Sequence, residues 1–391
     1  MSGPLSGRRL WFVGIGGAGL SAYAQLARAW GAEVGGWDRV RTPYLELLAD
    51  VETVVAAEPI VPEGWEAVVS SAYPAVPGLR RSAFLGELVA ARRAIVVAGS
   101  HGKGTTAAMI AFVLRETGRD PAWLVGAPVP QLGSNAGFGV GWLVVEGDES
   151  DRTVFTLPAE IAVVTNVDLD HHAEFASLDE LERAFAAWLE GAAAVVRDVP
   201  PYEGPLGVPG RHNRLNAGSA LAALELAGVA RGEAEETLAR FRGTGRRFEV
   251  HAGERDVTVV DDYAHHPAEV AATIEAARER FPGARLLVLF QPHLYSRTRH
   301  LAAELAGALA AADDVTVTDV YPAREDPVEG VTGKLVVDAL SDRGRLAGWT
   351  PALEDGIERV RRRARAGDVV LVLGAGDVDR AVPSFLAPGA S

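Results

Sequence analysis

Short apolar runs alternate with longer stretches rich in Ala and Leu along almost the whole chain. The runs at residues 10–13, 94–98 and 369–373 are typical of buried strands, and the stretch at 178–189 is typical of a helix. Strands that alternate with helices predict βα units joined into mainly parallel sheets. We therefore predict an α/β fold.

The predicted elements form three groups that divide near residues 92 and 243, and each group opens on its own strand. The predicted strands are residues 10–13, 33–37, 53–55, 67–70, 94–98, 142–146, 161–165, 257–261, 285–290, 314–318 and 369–373. The predicted helices are residues 20–30, 80–92, 178–189, 213–226, 233–241, 268–280, 301–312, 353–366 and 378–385, with one more directly after residue 103. Residues 199–210 are too rich in Pro and Gly for a helix or a central strand, so we expect a loop there.

A first glycine-rich loop lies between a predicted strand and a predicted helix, at residues 14–19 (GIGGAG). Its glycines permit a tight turn, and the helix N-terminus favours a diphosphate. Asp38 follows at the distance where a nicotinamide dinucleotide fold places its ribose-binding acid. Taken alone, this pattern suggests a dehydrogenase, and a tight turn without a ligand is the simpler alternative.

A second glycine-rich loop, residues 99–103 (GSHGK), follows a predicted buried strand and precedes a helix. Backbone N–H groups in such a loop can surround phosphates while the lysine reaches the terminal ones. A P-loop then supplies a Ser or Thr hydroxyl to Mg²⁺. Here that position is Gly104, followed by Thr105 and Thr106. The loop predicts phosphate binding beside an altered metal site.

Acidic clusters follow two further strands, at residues 146–151 (EGDESD) and 166–171 (NVDLDH). Neighbouring parallel strands would bring both clusters to one carboxyl edge, where ligands bind in open α/β sheets. Carboxylates and a neutral imidazole there could hold Mg²⁺ beside a nucleotide. Residues 261–267 (DDYAHHP) end another strand. Adjacent histidines point in different directions and no H-E-x-x-H spacing exists, so a polar substrate pocket is favoured over zinc.

The composition excludes or disfavours several classes of binding partner and site. The formal net charge is −14, which disfavours a nucleic-acid phosphate backbone. Without cysteine, neither a disulfide nor a thiolate metal site can form. Arg8 and Arg9 precede an apolar run, but glycines interrupt it and no cleavage site follows, so an export signal is disfavoured. No apolar run approaches the ~18 residues of a membrane span. We expect a cytoplasmic protein.

Taken together in order, ten motifs resemble the Mur ligase family over nearly the full length. They are GIGGAGLS (14–21), VVSSAYP (68–74), AGSHGKGTT (98–106), EGDESD (146–151), VTNVDLDH (164–171), PGRHNRLNA (209–217), GTGRRF (243–248), DDYAHHPAE (261–269), QPHLYSRT (291–298) and LGAGD (373–377). Among family members, DDYAHHP with GIGGAG is most similar to those that join L-alanine to UDP-N-acetylmuramic acid in peptidoglycan precursor synthesis.

The resemblance implies three domains. Residues 1–92 would be an N-terminal Rossmann-like domain for the UDP-sugar, residues 93–243 a central P-loop ATPase domain, and residues 244–391 a C-terminal Rossmann-like domain for the amino acid. ATP would phosphorylate the muramoyl carboxylate, and the amine of L-alanine would attack the acyl phosphate. ATP and Mg²⁺ are the implied cofactors, and no nucleic acid or membrane partner is implied.

The motifs also carry over site residues. The residues implied for UDP-sugar binding are Gly14, Gly16, Gly17, Gly19, Asp38, Ser70 and Ser71. The residues implied for ATP binding are Gly99, Ser100, His101, Gly102, Lys103, Gly104, Thr105, Asn213 and Asn216. Glu146 and His171 would hold Mg²⁺. The implied catalytic set is Lys103, Glu146, His171, Arg247 and Asp262. The implied amino-acid pocket is His265, His266, His293 and Arg297.

Two departures from the family keep an alternative open. Gly104 replaces the threonine whose hydroxyl reaches Mg²⁺, and the segment between Arg197 and Pro209 is shorter than in the family, so we expect strands missing at that edge of the central domain. The chain could be an active ligase or a relative that binds nucleotide or UDP-sugar without turnover. The second phosphate loop argues against a dehydrogenase. If water fills the position of the missing hydroxyl, Gly104→Thr should strengthen binding of Mg·ATP.

Overall fold

The fold, seen in a computed structural model that describes residues 3–168, 174–323 and 325–386, is built on three open α/β sheets. The chain forms two compact units. The first comprises Met1–Gly207 with Leu215–Thr244, and the second comprises Val208–Arg214 with Gly245–Ser391. No helix in the described parts of the chain combines the length and apolar character needed to cross a bilayer.

The first sheet has the strand order β3-β2-β1-β4-β5, and all its strand pairs are parallel. Side chains alternate along β1: Phe12 enters the main core, where it meets Phe84, and Trp11 packs on the opposite face. Because the strand order reverses direction at β1, a crevice opens where β1 ends. The elements are β1 Arg9–Val13, α1 Ala18–Ala29, β2 Glu33–Asp38, β3 Glu52–Val55, β4 Glu66–Val69, β5 Leu79–Arg80 and α2 Arg81–Ala90.

The second sheet has the order β11-β10-β6-β9-β7-β8. Its central strands β6 and β9 are buried, which explains their uninterrupted apolar sequences. Strands β7 and β8 form an antiparallel pair that the sequence did not predict, because both contain glycine and β7 also contains Pro128. The elements are β6 Ala94–Ala98, α3 Lys103–Glu116, β7 Ala122–Val129, β8 Ser134–Phe138, β9 Leu143–Glu146, β10 Ile161–Val164, α4 Leu178–Leu189, β11 Ala194–Val196, α5 Arg211–Leu226 and α6 Arg231–Leu238.

The third sheet has the order β12-β13-β17-β14-β15-β16, with β12 antiparallel to β13. Helix α8 begins six residues before its predicted start, at Tyr295, and α9 was not predicted. The helix predicted at residues 378–385 is a 3-10 helix, Val378–Phe385, and it contains Pro383. The elements are β12 Glu249–Ala252, β13 Thr258–Asp262, α7 Pro267–Arg280, β14 Leu286–Phe290, α8 Tyr295–Leu309, β15 Asp314–Val317, α9 Lys334–Asp342, β16 Ala347–Trp349, α10 Leu353–Arg363 and β17 Val369–Leu373.

Candidate active site

The loop between β6 and α3 has the geometry of a phosphate cradle. Gly102 precedes the first residue of α3 with φ +79°, a left-handed conformation that favours glycine. A Cβ at this position would lie 2.2 Å from Oδ1 of Asn216, so the glycine also admits that side chain. Lys103 then opens the helix. The predicted ATP residues Gly102, Lys103 and Asn216 therefore lie together.

Lys103 is held by acceptors of the protein itself. Its ammonium donates to the carbonyl oxygens of Gly99 at 2.7 Å and Ser100 at 3.1 Å, and it lies 3.0 Å from a carboxylate oxygen of Glu149. Although burial lowers the pKa of Lys103, the charges of Glu149, Asp148 and Glu146 raise it above its ordinary value. The lysine is therefore a fixed cation beside the loop.

The chain that follows β10 braces this loop. The hydroxyl of Ser100 donates to the carbonyl of Asp168 at 2.7 Å and accepts from its N–H at 2.8 Å. Asn166 accepts from the N–H of His101 at 2.9 Å, and its amide donates back to the carbonyl of His101. The first half of the predicted metal cluster thus shapes the phosphate loop. His171, the predicted metal ligand in the second half, lies outside the described residues.

The carboxylate of Glu146 is clamped between two glycines. The N–H of Gly126 donates to its Oε2 at 2.6 Å. A Cβ at Gly126 would lie 3.0 Å from Oε2, and a Cβ at Gly104 would lie 3.1 Å from Oε2 and 3.3 Å from Oε1. Gly104 therefore gives room to Glu146 beside the first turn of α3. Oxygen ligands in this position suit Mg²⁺, although the described residues contain no cluster of three or more metal-ligating side chains.

The remaining residues of the acidic loop, which we define as Glu146–Asp151, are also engaged. Asp148 Oδ1 accepts from the N–H of Ser150, and the carbonyl of Asp148 accepts from the N–H of Val154. Glu149 is fully buried against Lys103. The contact of Glu149 with Lys103 was not predicted, because sequence periodicity cannot show which of four nearby carboxylates turns toward the lysine.

The predicted sugar-nucleotide loop lies where β1 ends, and its Gly14 lies beside Ser70, the residue that follows β4. Asp38 braces it: Oδ2 accepts from the N–H of Gly16 at 2.7 Å, and Oδ1 accepts from the N–H of Arg39 at 2.7 Å. Thr42 donates to the carbonyl of Gly16. Asp38 therefore orders the loop through its backbone, and its role as a direct ligand stays a prediction.

Three of the four residues predicted for the amino-acid pocket cluster in the second unit. The ring of His293 lies 5.6 Å from that of His265, and its Nδ1 is 3.2 Å from a guanidinium nitrogen of Arg297. Tyr321, which the sequence analysis missed, stacks on His293 with ring centroids 5.7 Å apart. His266 instead forms a capping box at the start of α7 with Glu269.

Asp262 and Arg247 have mainly structural partners in the described chain. The two oxygens of Asp262 accept the N–H groups of Phe248 and Ala264, both at 2.8 Å, and burial raises its pKa to about 6. Arg247 lies 3.6 Å from Glu269 and against the ring of Tyr263. Their predicted catalytic roles are not visible in these contacts and stay predictions.

The segment PGRHNRLNA contributes to both units. Asn213 donates from Nδ2 to the carbonyl of Pro209 at 2.7 Å. Next to it, burial and then the charge of Arg247 lower the pKa of His212 to about 4. His212 was not singled out in the sequence, although it lies inside a motif that was. Its half-buried imidazole is therefore neutral near pH 7.

Two family models match the chain. Residues 97–197 match the Mur ligase middle domain, and residues 246–376 match the Mur ligase glutamate ligase domain. Together these matches cover the phosphate loop, the acidic loop and the histidine cluster described above.

Relatives match along the full length. The UDP-N-acetylmuramate–L-alanine ligase of Paenarthrobacter aurescens is 38% identical over 441 aligned positions, which cover 95% of this chain and 94% of the relative. That of Streptomyces coelicolor is 37% identical, with 98% of each chain covered. The crystal structure of UDP-N-acetylmuramate-alanine ligase MurC from Thermotoga maritima superposes with a TM-score of 0.78 at 26% identity, covering 96% of this chain and 98% of that one. The chain belongs to the Mur ligase family.

Proposed function

We propose that this protein joins L-alanine to UDP-N-acetylmuramic acid at the expense of ATP, in the synthesis of peptidoglycan precursors. The printed names of full-length relatives support this activity. The observation that carries it is the pairing of a largely buried lysine with fixed carboxylates at the carboxyl ends of the parallel strands β6 and β9. That arrangement provides positive charge for a polyphosphate and oxygen ligands for its cation.

The proposed chemistry has two steps. A carboxylate oxygen of the muramoyl group attacks the γ-phosphorus of ATP, which breaks the bond to ADP and gives an acyl phosphate. The amine of L-alanine then attacks the acyl carbon, loses a proton, and expels inorganic phosphate from the tetrahedral intermediate. In this scheme the ammonium of Lys103 turns from the carbonyls of Gly99 and Ser100 to phosphate oxygens of ATP, while its contact with Glu149 remains. The N–H groups of the 99–103 loop orient the nucleotide for in-line attack.

Magnesium has a place in this proposal. We assign it to Glu146 and His171, with phosphate oxygens as further ligands. Bound there, Mg²⁺ would supply charge neutralisation on the phosphates. Glu146 fits because Gly126 fixes one of its oxygens, and both oxygens lie beside Gly104 in the first turn of α3.

For the amino acid, we assign the carboxylate of L-alanine to Arg297 and the surrounding ring cluster of His265, His293 and Tyr321. Arg297 is 7% exposed, so its charge is desolvated and binds an anion more strongly than a surface arginine would. The sugar nucleotide is assigned to the loop at residues 14–19 and to Ser70 and Ser71.

The test measures phosphate release from ATP with UDP-N-acetylmuramic acid, with and without L-alanine. Release that requires both substrates, together with mass-spectrometric detection of the alanyl product, is the expected result. Nucleotide and UDP-sugar binding without release would favour the second candidate, a relative without turnover. That candidate is motivated by Gly104, which lacks the hydroxyl found in the family.

A further inference from the structure

The position of Arg81 is electrostatically unfavourable for the helix that it begins. It is the first residue of α2, and the first turn of that helix contains no acidic residue. A cation at a helix N-terminus opposes the helix dipole. The side chain is only 26% exposed, so its charge is also partly desolvated. Something outside α2 must stabilise it there.

The acidic loop provides that stabilisation. Nη2 of Arg81 donates to Oδ2 of Asp151 at 3.0 Å, across from the first sheet to the second within the same compact unit. A Cβ at Gly19, in the first turn of α1, would lie 3.5 Å from Nη1 of Arg81. The guanidinium therefore lies beside the helix that follows the sugar-nucleotide loop and is bonded to the acidic loop at the same time.

Hydrogen bonds within and next to the acidic loop hold its backbone, so that a change in the position of Asp151 is passed on to Glu149. Asp151 Oδ1 also accepts from the N–H of Thr153 at 3.0 Å. The carbonyl of Glu149 accepts from the N–H of Arg152, and Ser150 is tied to Asp148. Glu149, two residues before Asp151, contacts Lys103. A displacement of Asp151 therefore moves the carboxylate that holds the phosphate-loop lysine.

We propose that Arg81 is a positioning residue that couples the two nucleotide loops: through Asp151 it fixes the acidic loop, and through Glu149 the acidic loop fixes Lys103 for ATP. The inference rests on the proposed assignment of ATP to the Lys103 loop. It predicts that the first residue of α2, the helix that follows the first sheet, controls ATP affinity even when no sugar nucleotide is present. A residue that only binds the sugar nucleotide would not do so.

The experiment titrates a non-hydrolysable ATP analogue with Mg²⁺ into the full chain by calorimetry, without sugar nucleotide. Arg81→Gln and Asp151→Asn should each weaken the analogue's affinity by about fivefold. The double variant should be no weaker than either single one, because both break the same link. Arg81→Lys, which retains the charge, should recover part of the affinity.

Arg92→Gln is the matched control. Arg92, soon after the end of α2, donates to the carbonyl of Val140 between β8 and β9 at 2.9 Å and covers the ring of Trp30 at the end of α1, and both contacts lie outside the acidic loop. It should bind the analogue like the parent. A similar loss in Arg92→Gln would show general loosening of the unit and would overturn the proposal.

Other outcomes also decide the matter. Unchanged affinity in Asp151→Asn, additive losses in the double variant, or a loss confined to UDP-N-acetylmuramic acid binding in Arg81→Gln would each overturn it. Asp151→Asn is nearly isosteric at a partly exposed position, so it keeps the test available if Arg81→Gln fails to fold. Lys103→Ala separates the two hypotheses: if that variant binds the analogue like the parent, the ATP assignment itself is wrong.

Discussion

Adding a single methyl group at Gly104 tests how tightly the Glu146 carboxylate is held. A Cβ there would lie 3.1 Å and 3.3 Å from the two carboxylate oxygens, whereas ordinary contact begins at 3.4 Å. The carboxylate must therefore give by a few tenths of an ångström. It cannot move freely, because Gly126 holds Oε2 by a 2.6 Å hydrogen bond on the other side.

We expect Gly104→Ala to weaken Mg²⁺-dependent binding of a non-hydrolysable ATP analogue by about fivefold, or ~1 kcal/mol. Replacement of a helical glycine should at the same time raise the unfolding temperature. Gly86→Ala is the control for that helix effect, since a Cβ at Gly86 in α2 meets nothing within 4 Å. Lower affinity in a more stable protein would assign the loss to the site.

Serine and threonine at position 104 separate the hydroxyl from the methyl effect. Gly104→Ser carries the same Cβ as Gly104→Ala, so any tighter Mg²⁺-dependent binding by the serine variant reports the hydroxyl alone. Gly104→Thr adds a branch in the first helical turn. The structure therefore reverses the sequence-based expectation, and we expect the threonine variant to bind no more tightly than the parent. Parental affinity in Gly104→Ala would refute this reasoning, because the carboxylate would then move without cost.

Three further predictions concern other parts of the chain. Glu146→Gln should slow Mg²⁺-dependent turnover by about a hundredfold, and full activity in the presence of a chelator would contradict the metal assignment. Burial raises the pKa of Asp261 to about 7, against about 4 in an unfolded chain, so the folded chain binds more protons between these values and loses stability as the pH rises through them. In denaturant titrations, the stability of Asp261→Asn relative to the parent should therefore increase by about 2 kcal/mol from pH 5 to pH 8, and a pH-independent difference would be inconsistent with this. Leu294 has φ +69° at the start of α8, so Leu294→Gly should be more stable than Leu294→Ala by about 1 kcal/mol, and the reverse order in thermal unfolding would show that the turn is unstrained.

The sequence was sufficient to predict those strands that are buried on both faces, because their apolar residues are continuous. Strands β6, β9 and β17 are covered on both faces, so they appear as continuous apolar runs whose ends could be located within a residue or two. Because parallel strands present their carboxyl ends to one edge, the loops after β6 and β9 could be placed together in advance. The placement of Lys103 and Glu146 at one edge could therefore be predicted, and their roles in the site stay predictions.

Side-chain contacts that depend on the three-dimensional course of the backbone could not be predicted from the sequence. Pairing of Lys103 with Glu149 instead of a neighbouring carboxylate depends on the backbone of the acidic loop, including the hydrogen bond from Val154 to Asp148. The capping box that His266 forms with Glu269 was not predicted either, and the place of His266 in the amino-acid pocket stays a prediction. Arg81 was overlooked because its partner lies 70 residues away, beyond any local pattern.

The way in which the second sheet ends bears on how the chain behaves when it is concentrated. An open strand edge can recruit another chain into the sheet. Strand β11 is only three residues long, Asp198 with φ +55° turns the chain away directly after it, and two prolines without N–H groups follow at positions 200 and 201. The carbonyl of Pro200 also packs against α5, where a Cβ at Gly218 would lie 2.3 Å away. The shortened segment therefore also protects the edge at β11 against self-association. A longer β-rich insertion there would create a new open strand edge, and that edge would need protection of its own.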